Sequence, residues 1–284
     1  MDLITATSGE KVQTRARVLA DSLNLNGVRL TTLEVAIPRV VLAEFNTHRA
    51  FSRNSASSRA IPISKIMDRV KGDPYIPRNF SLNTKGMSAK EYITVSDPRY
   101  PEAVAWWLGQ RDNAIAGALK GMEMGLHKQV VNRLLEPWMW QTIIVSSTDW
   151  DNFFQLRLAK DDLDNPLADI AIFDGALQMN YAIAESVPSV LAWNEWHLPL
   201  TGFEGDGSLK KTDLIKVSVA RCARVSYLTH DGTRDTGADI TLFNRLKESR
   251  HMSPFEHVAH PAVGRFGNFQ GWEQARQLVE RGSM

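Results

Sequence analysis

The chain has a single cysteine, Cys222, among 284 residues. One thiol excludes an internal disulfide and any zinc site built on cysteines, and it fits a reducing, cytoplasmic setting. Long apolar runs are missing too. No stretch approaches the about 18 residues a membrane-spanning helix needs. The amino-terminal Met-Asp-Leu-Ile-Thr lacks a basic region followed by an apolar one, so no signal peptide is expected. Net charge is almost absent: 33 Lys and Arg against 32 Asp and Glu leave +1. No global field therefore draws the chain to nucleic acid, and positive charge matters only where it is concentrated. Repeats and low-complexity tracts are also lacking. A hydrophobic content of 43% with 23% charged residues describes an ordinary globular protein with a substantial core. We expect one domain over residues 1–284.

Charge is concentrated in residues 47–59, Thr-His-Arg-Ala-Phe-Ser-Arg-Asn-Ser-Ala-Ser-Ser-Arg. His48, Arg49, Arg53 and Arg59 surround Ser52, Asn54, Ser55, Ser57 and Ser58, with only Ala50, Phe51 and Ala56 apolar. The composition predicts a surface segment rather than core. Cations, amides and hydroxyls together suit a bound polyanion, arginine giving bidentate contacts to phosphate oxygens. A solvated basic turn is the competing reading.

The order of these residues adds to their composition. His48-Arg49-x-x-Ser52-x-Asn54-x-x-Ser57-x-Arg59 resembles the signature of the flavin-dependent thymidylate synthases, Arg-His-Arg-x-x-Ser-x-Asn-Glu-x-Ser-x-Arg. Residues 217–228, Val-Ser-Val-Ala-Arg-Cys-Ala-Arg-Val-Ser-Tyr-Leu, resemble the Ala-Ala-Arg-Val-Ser segment near the start of those synthases. His251-Met-Ser-Pro-Phe-Glu-His257 resembles their His-x-Thr-Pro-Phe-Glu-His block. In the family these segments precede the Arg/Ser signature; here they follow it. The resemblance is thus to a circularly permuted member, an arrangement tolerated when termini lie close at the surface. Residues 138–157, ending Asn-Phe-Phe-Gln-Leu-Arg157, resemble a family helix ending Asn-Phe-Leu-x-Leu-Arg. Residues 1–28, 72–125, 188–212 and 264–284 match weakly or not at all, so the resemblance covers about half the chain.

The resemblance implies an α+β fold, an antiparallel sheet wrapped by long helices, as a homotetramer with sites shared between subunits. It implies reductive methylation of a pyrimidine nucleotide at C5, dUMP to dTMP, with methylenetetrahydrofolate giving the carbon, reduced FAD the hydride, and NADPH reducing the flavin. No cysteine nucleophile is needed, so Cys222 reads as a small buried apolar residue. By matching position, His48, Arg49, Asn54, Ser55, Ser253 and Arg157 are the candidate flavin contacts. Glu44, Ser57, Ser58 and Arg59 are the candidate nucleotide contacts. Ser57, Arg59 and His251 are the candidates nearest the chemistry.

Three positions depart from the family. Thr47 replaces its first Arg, Ser55 its Glu, and Glu44 a Gln. Loss of a bidentate phosphate contact costs roughly 1.5–3 kcal/mol. Either Arg53, Arg221 or Arg224 compensates, or the substrate differs, dCMP for example, whose amine a Glu44 carboxylate would accept. A non-catalytic nucleotide-binding protein on the same scaffold is the reading from another class. His251, His257 and His260 lack a completing Cys or acidic cluster beyond Glu256, so no metal site is assigned. Pro254–His257 reads as packing at a helix start. Trp106, Trp107, Trp138, Trp140, Trp193 and Trp196 read as core, and Phe266–Trp272 as either a contact loop or an ordinary turn.

Periodicity predicts a strand over 29–37, a helix from Pro38 towards His48, and a helix over 57–70 interrupted near Pro62. It predicts loop over 71–100, a helix over 101–135 weakened at Gly121 and Gly125, and helices at 149–160 and from Asn165 to about Ala182. Residues 199–207 are the best linker candidate. Residues 217–225 read as a strand, 239–248 as a helix and 272–280 as an amphipathic helix.

Overall fold

The computed structural model describes residues 14–59, 61–85, 89–162, 164–226 and 235–284. The amino-terminal stretch read for a leader, and the last two residues of the 217–228 motif, lie outside the described residues. In chain order the elements are β1 (Arg15–Asn24), β2 (Arg29–Pro38), α1 (Leu42–Asn46), β3 (Ser52–Ser55), α2 (Ile63–Gly72), β4 (Phe80–Ser81), β5 (Tyr92–Ile93), α3 (Tyr100–Glu123), α4 (Lys128–Val131), β6 (Trp140–Ser147), α5 (Asp151–Arg157), α6 (Ile170–Glu185), β7 (Ser189–Leu191), α7 (Lys211–Ala223), α8 (Thr236–Glu248), β8 (Ala259–Phe266), β9 (Phe269–Gln274) and α9 (Ala275–Glu280). Short 3-10 turns fall at Arg39–Val41, Asn132–Trp138, Asp206–Ser208, Arg224–Ser226 and Ser253–Glu256.

The main sheet runs β3-β6-β2-β1-β7. Its pairs are antiparallel except β1 with β7. This is the expected α+β class. Alternation along the strands separates two faces. Leu33, Val35, Ile37, Ile143 and Val145 form one buried face, packed on Phe153 of α5 and on Ile172, Ala176 and Met179 of α6. Asp169 caps α6 by accepting from the Ala171 amide at 2.8 Å. At Gly175 the helix touches the sheet so closely that a Cβ would lie 2.8 Å from Ile37 Cγ2. Gly175→Ala is therefore expected to lose stability. An overpacked contact costs about 1–3 kcal/mol, against about 1 kcal/mol gained in helix propensity. Urea unfolding measures the balance, and a stabilised variant would show the contact to be loose.

The second face is partly polar. Thr32, Ser146 and Ser52 stand in one register row across β2, β6 and β3. Two histidines descend on this row. His197 bonds Ser22 Oγ at 2.8 Å and Thr32 Oγ1 at 2.7 Å; His257 bonds Ser146 Oγ at 2.8 Å. Thr32 and Ser146 join at 2.6 Å, closing a buried chain of hydroxyls and imidazoles. Around it, Ile144 packs with Leu200, Cys222 and Val225, and Leu30 with Ala259, Phe269 and Trp272.

Several sequence expectations are corrected here. Residues 217–225 lie mostly in helix α7, with Cys222 in its last turn and 224–226 in a 3-10 turn, instead of a strand. Val217 through Cys222 are all buried, so no apolar stripe was left to reveal a helix. Residues 138–157 are not one helix: β6 precedes α5, and its Thr-Ile-Ile-Val run fits a central strand. Residues 272–280 divide between β9 and α9. Pro254–His257 leads into β8 rather than a helix. Trp106 and Trp193 are exposed, whereas Trp138 is core. The 199–207 stretch is pinned to α7 through Arg221 rather than free as a linker.

Candidate active site

The 47–59 segment turns out to be half buried. His48, Ser52, Asn54 and Ser58 have little exposure, while Arg49, Ser55 and Arg59 are exposed. The reason is strand alternation. Ser52 and Asn54 point into the second face along β3, and Arg53 and Ser55 point the other way. A sequence read by composition alone misses this, because the inward residues are hydroxyls and an amide that find buried partners.

Residues 47–51 form the turn between α1 and β3. Arg53 Nη1 donates to the carbonyls of Phe45, Asn46 and His48 at 3.3, 3.0 and 2.9 Å. It thereby satisfies carbonyls that the end of α1 leaves open. Thr47 Oγ1 donates to the Glu44 carbonyl at 2.7 Å, so the residue in place of the family's Arg finishes a helix. The apex carbonyl, that of Ala50, accepts from Ser147 Oγ at 3.1 Å and from Asn268 Nδ2 at 2.9 Å.

This turn and α5 enclose a cleft of about 190 Å³, lined by Thr47, His48, Arg49, Asn152 and Arg157 among others. Its floor is aromatic. His48 stands edge-on to Phe153 at 4.8 Å, and Phe51 lies 4.7 Å from Trp150 and 5.1 Å from Phe153. Arg157 Nε donates to His48 Nε2 at 3.0 Å. That bond makes Nε2 the acceptor and places the proton of the neutral ring on Nδ1. Burial first, then the Arg157 and Arg53 cations, push the His48 pKa down to about 4. At neutral pH the cleft thus presents two guanidinium groups and an uncharged imidazole, with Asp149 on its rim.

The four motif segments, separated in sequence, meet around β3. Asn54 Nδ2 donates to the Cys222 carbonyl at 3.2 Å, at the end of α7. The Arg224–Ser226 turn packs on β3 and β6, and the Ser253–Glu256 turn packs on β3. The Arg157 bond to His48 brings in the fourth.

Of the candidate flavin contacts, His48, Arg49 and Arg157 line one cleft. Asn54 is spent on α7, Ser55 is exposed and Ser253 is half buried in its turn. The candidate nucleotide contacts Ser57, Ser58 and Arg59 lie at the other end of β3. Ser58 Oγ donates to Glu136 at 3.3 Å, and the Ser58 carbonyl accepts from Asn132 at 2.8 Å. Arg59 is exposed beside them. β3 separates them from the cleft, its four residues spanning about 13 Å. His251 is exposed beyond α8, its amide bonded to the Leu246 carbonyl. Glu44 offers Arg157 Nη2 its carbonyl, at 3.5 Å, rather than its carboxylate. Arg53 and Arg221 are not available to replace the missing phosphate contact: the first caps α1 and the second is sealed between Asp206 and Asp239. Arg224 is engaged by Asp239 at 2.8 Å. Sequence reading missed the aromatic floor and Asn268; the Gly-Asn-Phe-Gln-Gly turn was the only signal for the latter.

No protein-family model matches the chain, and no curated protein matches it in sequence. Among solved structures, a UMP/dUMP methylase PolB from Streptomyces cacaoi bound with 5-Br UMP overlaps it at 15% identity with a TM-score of 0.49, over 62% of this chain and 90% of that one. The same methylase bound with 5-Br dUMP overlaps at 14% identity with a TM-score of 0.49, over 62% and 92%.

Proposed function

We propose that this chain is a flavin-dependent enzyme that reductively methylates a pyrimidine nucleotide at C5, with dUMP the leading substrate. One observation carries the reading. Four segments that resemble the motifs of one enzyme family, in permuted order, meet around β3, and two of them share a cleft through His48 and Arg157.

The donor set of the cleft fits part of FAD. Arg49, Arg157, Asn152 and the His48 Nδ1–H suit a pyrophosphate or an electron-rich ring. A cavity of about 190 Å³ is too small for the whole cofactor, since sites for drug-sized ligands run from about 300 Å³ upwards. The remainder would lie across the protein surface. Bound and reduced, FAD supplies the hydride, and methylenetetrahydrofolate the carbon. His48, held neutral, adds a hydrogen-bond donor without a third positive charge. In this reading Ser57 and Arg59 hold the nucleotide, while Ser58 is turned inward to Glu136. Because they sit a strand's length from the cleft, the complete site pairs the cleft of one copy with Ser57–Arg59 of another in a homo-oligomer.

Purified protein given FAD is expected to turn yellow, with an absorbance band near roughly 450 nm. With methylenetetrahydrofolate and NADPH added, it is expected to methylate one of dUMP, dCMP or UMP. Arg157→Ala is expected to weaken FAD binding by about 10–100-fold, the worth of one or two charge-assisted contacts. Arg59→Ala is expected to leave FAD bound and to weaken the nucleotide. Protein that takes up no FAD defeats the reading.

A further inference from the structure

The β8–β9 hairpin lies outside the segments that carry the resemblance, yet it reaches the turn that lines the cleft. Phe266 pairs with Phe269, so Gly267 and Asn268 form a two-residue turn. Gly267 has φ +61, the left-handed backbone that such a turn takes at its first position. A side chain there would also crowd Gln277 Nε2 at 3.1 Å and Gln274 Oε1 at 3.2 Å. The turn therefore brings a short polar residue, Asn268, against the sheet.

Three amides then run in series. Gln277 Nε2 donates to Gln274 Oε1 at 2.9 Å. Gln274 Nε2 donates to Asn268 Oδ1 at 2.9 Å and to Ser52 Oγ at 3.2 Å. Asn268 Nδ2 donates to the Ala50 carbonyl at 2.9 Å and to Ser52 Oγ at 3.1 Å. Each amide is oriented by the next, because its oxygen must accept and its nitrogen must donate. Gln274 is almost fully buried, so this orientation does not exchange with solvent. The series ends on the backbone between Arg49 and Phe51, the apex of the turn that presents His48 and Arg49 to the cleft.

We infer that Asn268 is a positioning residue for the cleft: through its bond to the Ala50 carbonyl it fixes the turn that aims His48 at Arg157 and Arg49 at the ligand. Ser147 Oγ gives the same carbonyl a second donor from β6, so the apex is held from two elements. A turn held on one side only would shift the cationic groups relative to α5, whose Arg157 does not move with it. The inference rests on the cleft being the flavin site only for its ligand readout.

The test is Asn268→Ala, which removes the donor to Ala50 without adding a charge. Two quantities are read. In the unliganded protein, NMR titration of the His48 ring reports whether the ring stays buried against Arg157. With FAD, quenching of flavin fluorescence gives the dissociation constant. The His48 midpoint is expected to rise from about 4 towards the ordinary value near 6.5. The FAD dissociation constant is expected to increase about tenfold, one hydrogen bond's worth. Thermal midpoints are expected to stay within about three degrees, since the fold keeps its other bonds. Should Asn268→Ala fail to fold, Gln274→Met removes the amide that orients Asn268, and the same two shifts are expected. If the parent binds no FAD, the flavin reading falls and the His48 titration alone decides the positioning role. An unchanged His48 midpoint overturns the inference, as does a lowered thermal midpoint with both readouts unchanged.

Discussion

Acidification from pH 7 to pH 4 is expected to strip this protein of much of its stability, and two buried histidines set the slope. His197 and His257 are fully enclosed, and burial pushes both pKa values down to about 3. Their bonded partners are the hydroxyls of Ser22, Thr32 and Ser146, and the Asp21 carboxylate, which favours a charged His197, offsets burial only in part. In the unfolded chain the same rings titrate near 6.5. Below that value the unfolded state binds more protons than the folded state. Stability is therefore intact above about pH 6.5 and falls steadily as the pH drops towards 3. Each ring contributes up to about 1.4 kcal/mol per pH unit, so the pair removes roughly 4 kcal/mol between about pH 5.5 and 4. His48, lowered to about 4, acts in the same direction. Asp21 and Asp206, whose carboxyls are held below the usual range by Arg29 and Arg221 against the opposing effect of burial, lose their contributions only below about pH 4. Above pH 4 the three histidines set the fall, opposed among the described residues only by Asp169, whose carboxyl burial pushes up and which acts in the opposite sense. Urea midpoints measured across the range should show the slope, and a His197→Asn, His257→Asn double variant should flatten it. A parent protein whose stability changes by less than about 1 kcal/mol between pH 6.5 and 4 would contradict this account.

These histidines also show where a sequence stops speaking. His257 was visible as the end of the Ser-Pro-Phe-Glu-His block, but its partner Ser146 lies 111 positions away. His197 stood in no motif at all. Their pairing follows from strand register, Thr32 opposite Ser146, which local composition does not carry. The readable parts were those with a strong local period or stop signal. β2 and α8 came out near their expected bounds, the helix expected over 101–135 stops at Glu123, between its two weak glycines, with α4 and a 3-10 turn following, and α6 began five residues after its expected Asn165 start, at the Asp169 cap. α7 failed because its second half, Val217–Cys222, is buried on every side, polar Ser218 and Arg221 included, and β6 because a family likeness overrode a β-branched run. At the site, residue identity was legible in the 47–59 signature, and so was the convergence of distant motifs if the likeness held. Which residues are spent on structure was not. Arg53, Asn54 and Ser58 have the chemistry of ligand contacts, and the fold uses them to cap α1, to cap α7 and to hold Glu136.

Arg221→Met is expected to cost about 3–5 kcal/mol, because it strands buried carboxylates. The guanidinium is 2% exposed. It donates to Asp206 through both Nη atoms at 2.7 and 2.9 Å, to Asp239 through Nε at 3.0 Å and to the Leu200 carbonyl at 2.8 Å. Burial disfavours its charge, and the two aspartates more than restore it, leaving the pKa raised. Leu200 has φ +60, a left-handed conformation that a leucine rarely adopts and that the bond to its carbonyl helps to hold. Without Arg221, Asp206 has no cation among the described residues, and the 199–207 loop loses its anchor to α7. Asp239 keeps Arg224, so the damage should be greatest at the loop. Neutralising the stranded group tests the cause: Asp206→Asn added to Arg221→Met should recover part of the loss, since the penalty lies in the uncompensated charge. The consequence reaches the site through α7, whose Cys222 carbonyl holds Asn54 on β3. Arg221→Met should therefore weaken ligand binding in the cleft under conditions where the protein is still folded. A variant that loses less than about 1 kcal/mol would mean that water reaches Asp206 as soon as the arginine is gone. The cluster would then be a solvated surface network, not the clamp that joins α7, α8 and the 199–207 loop.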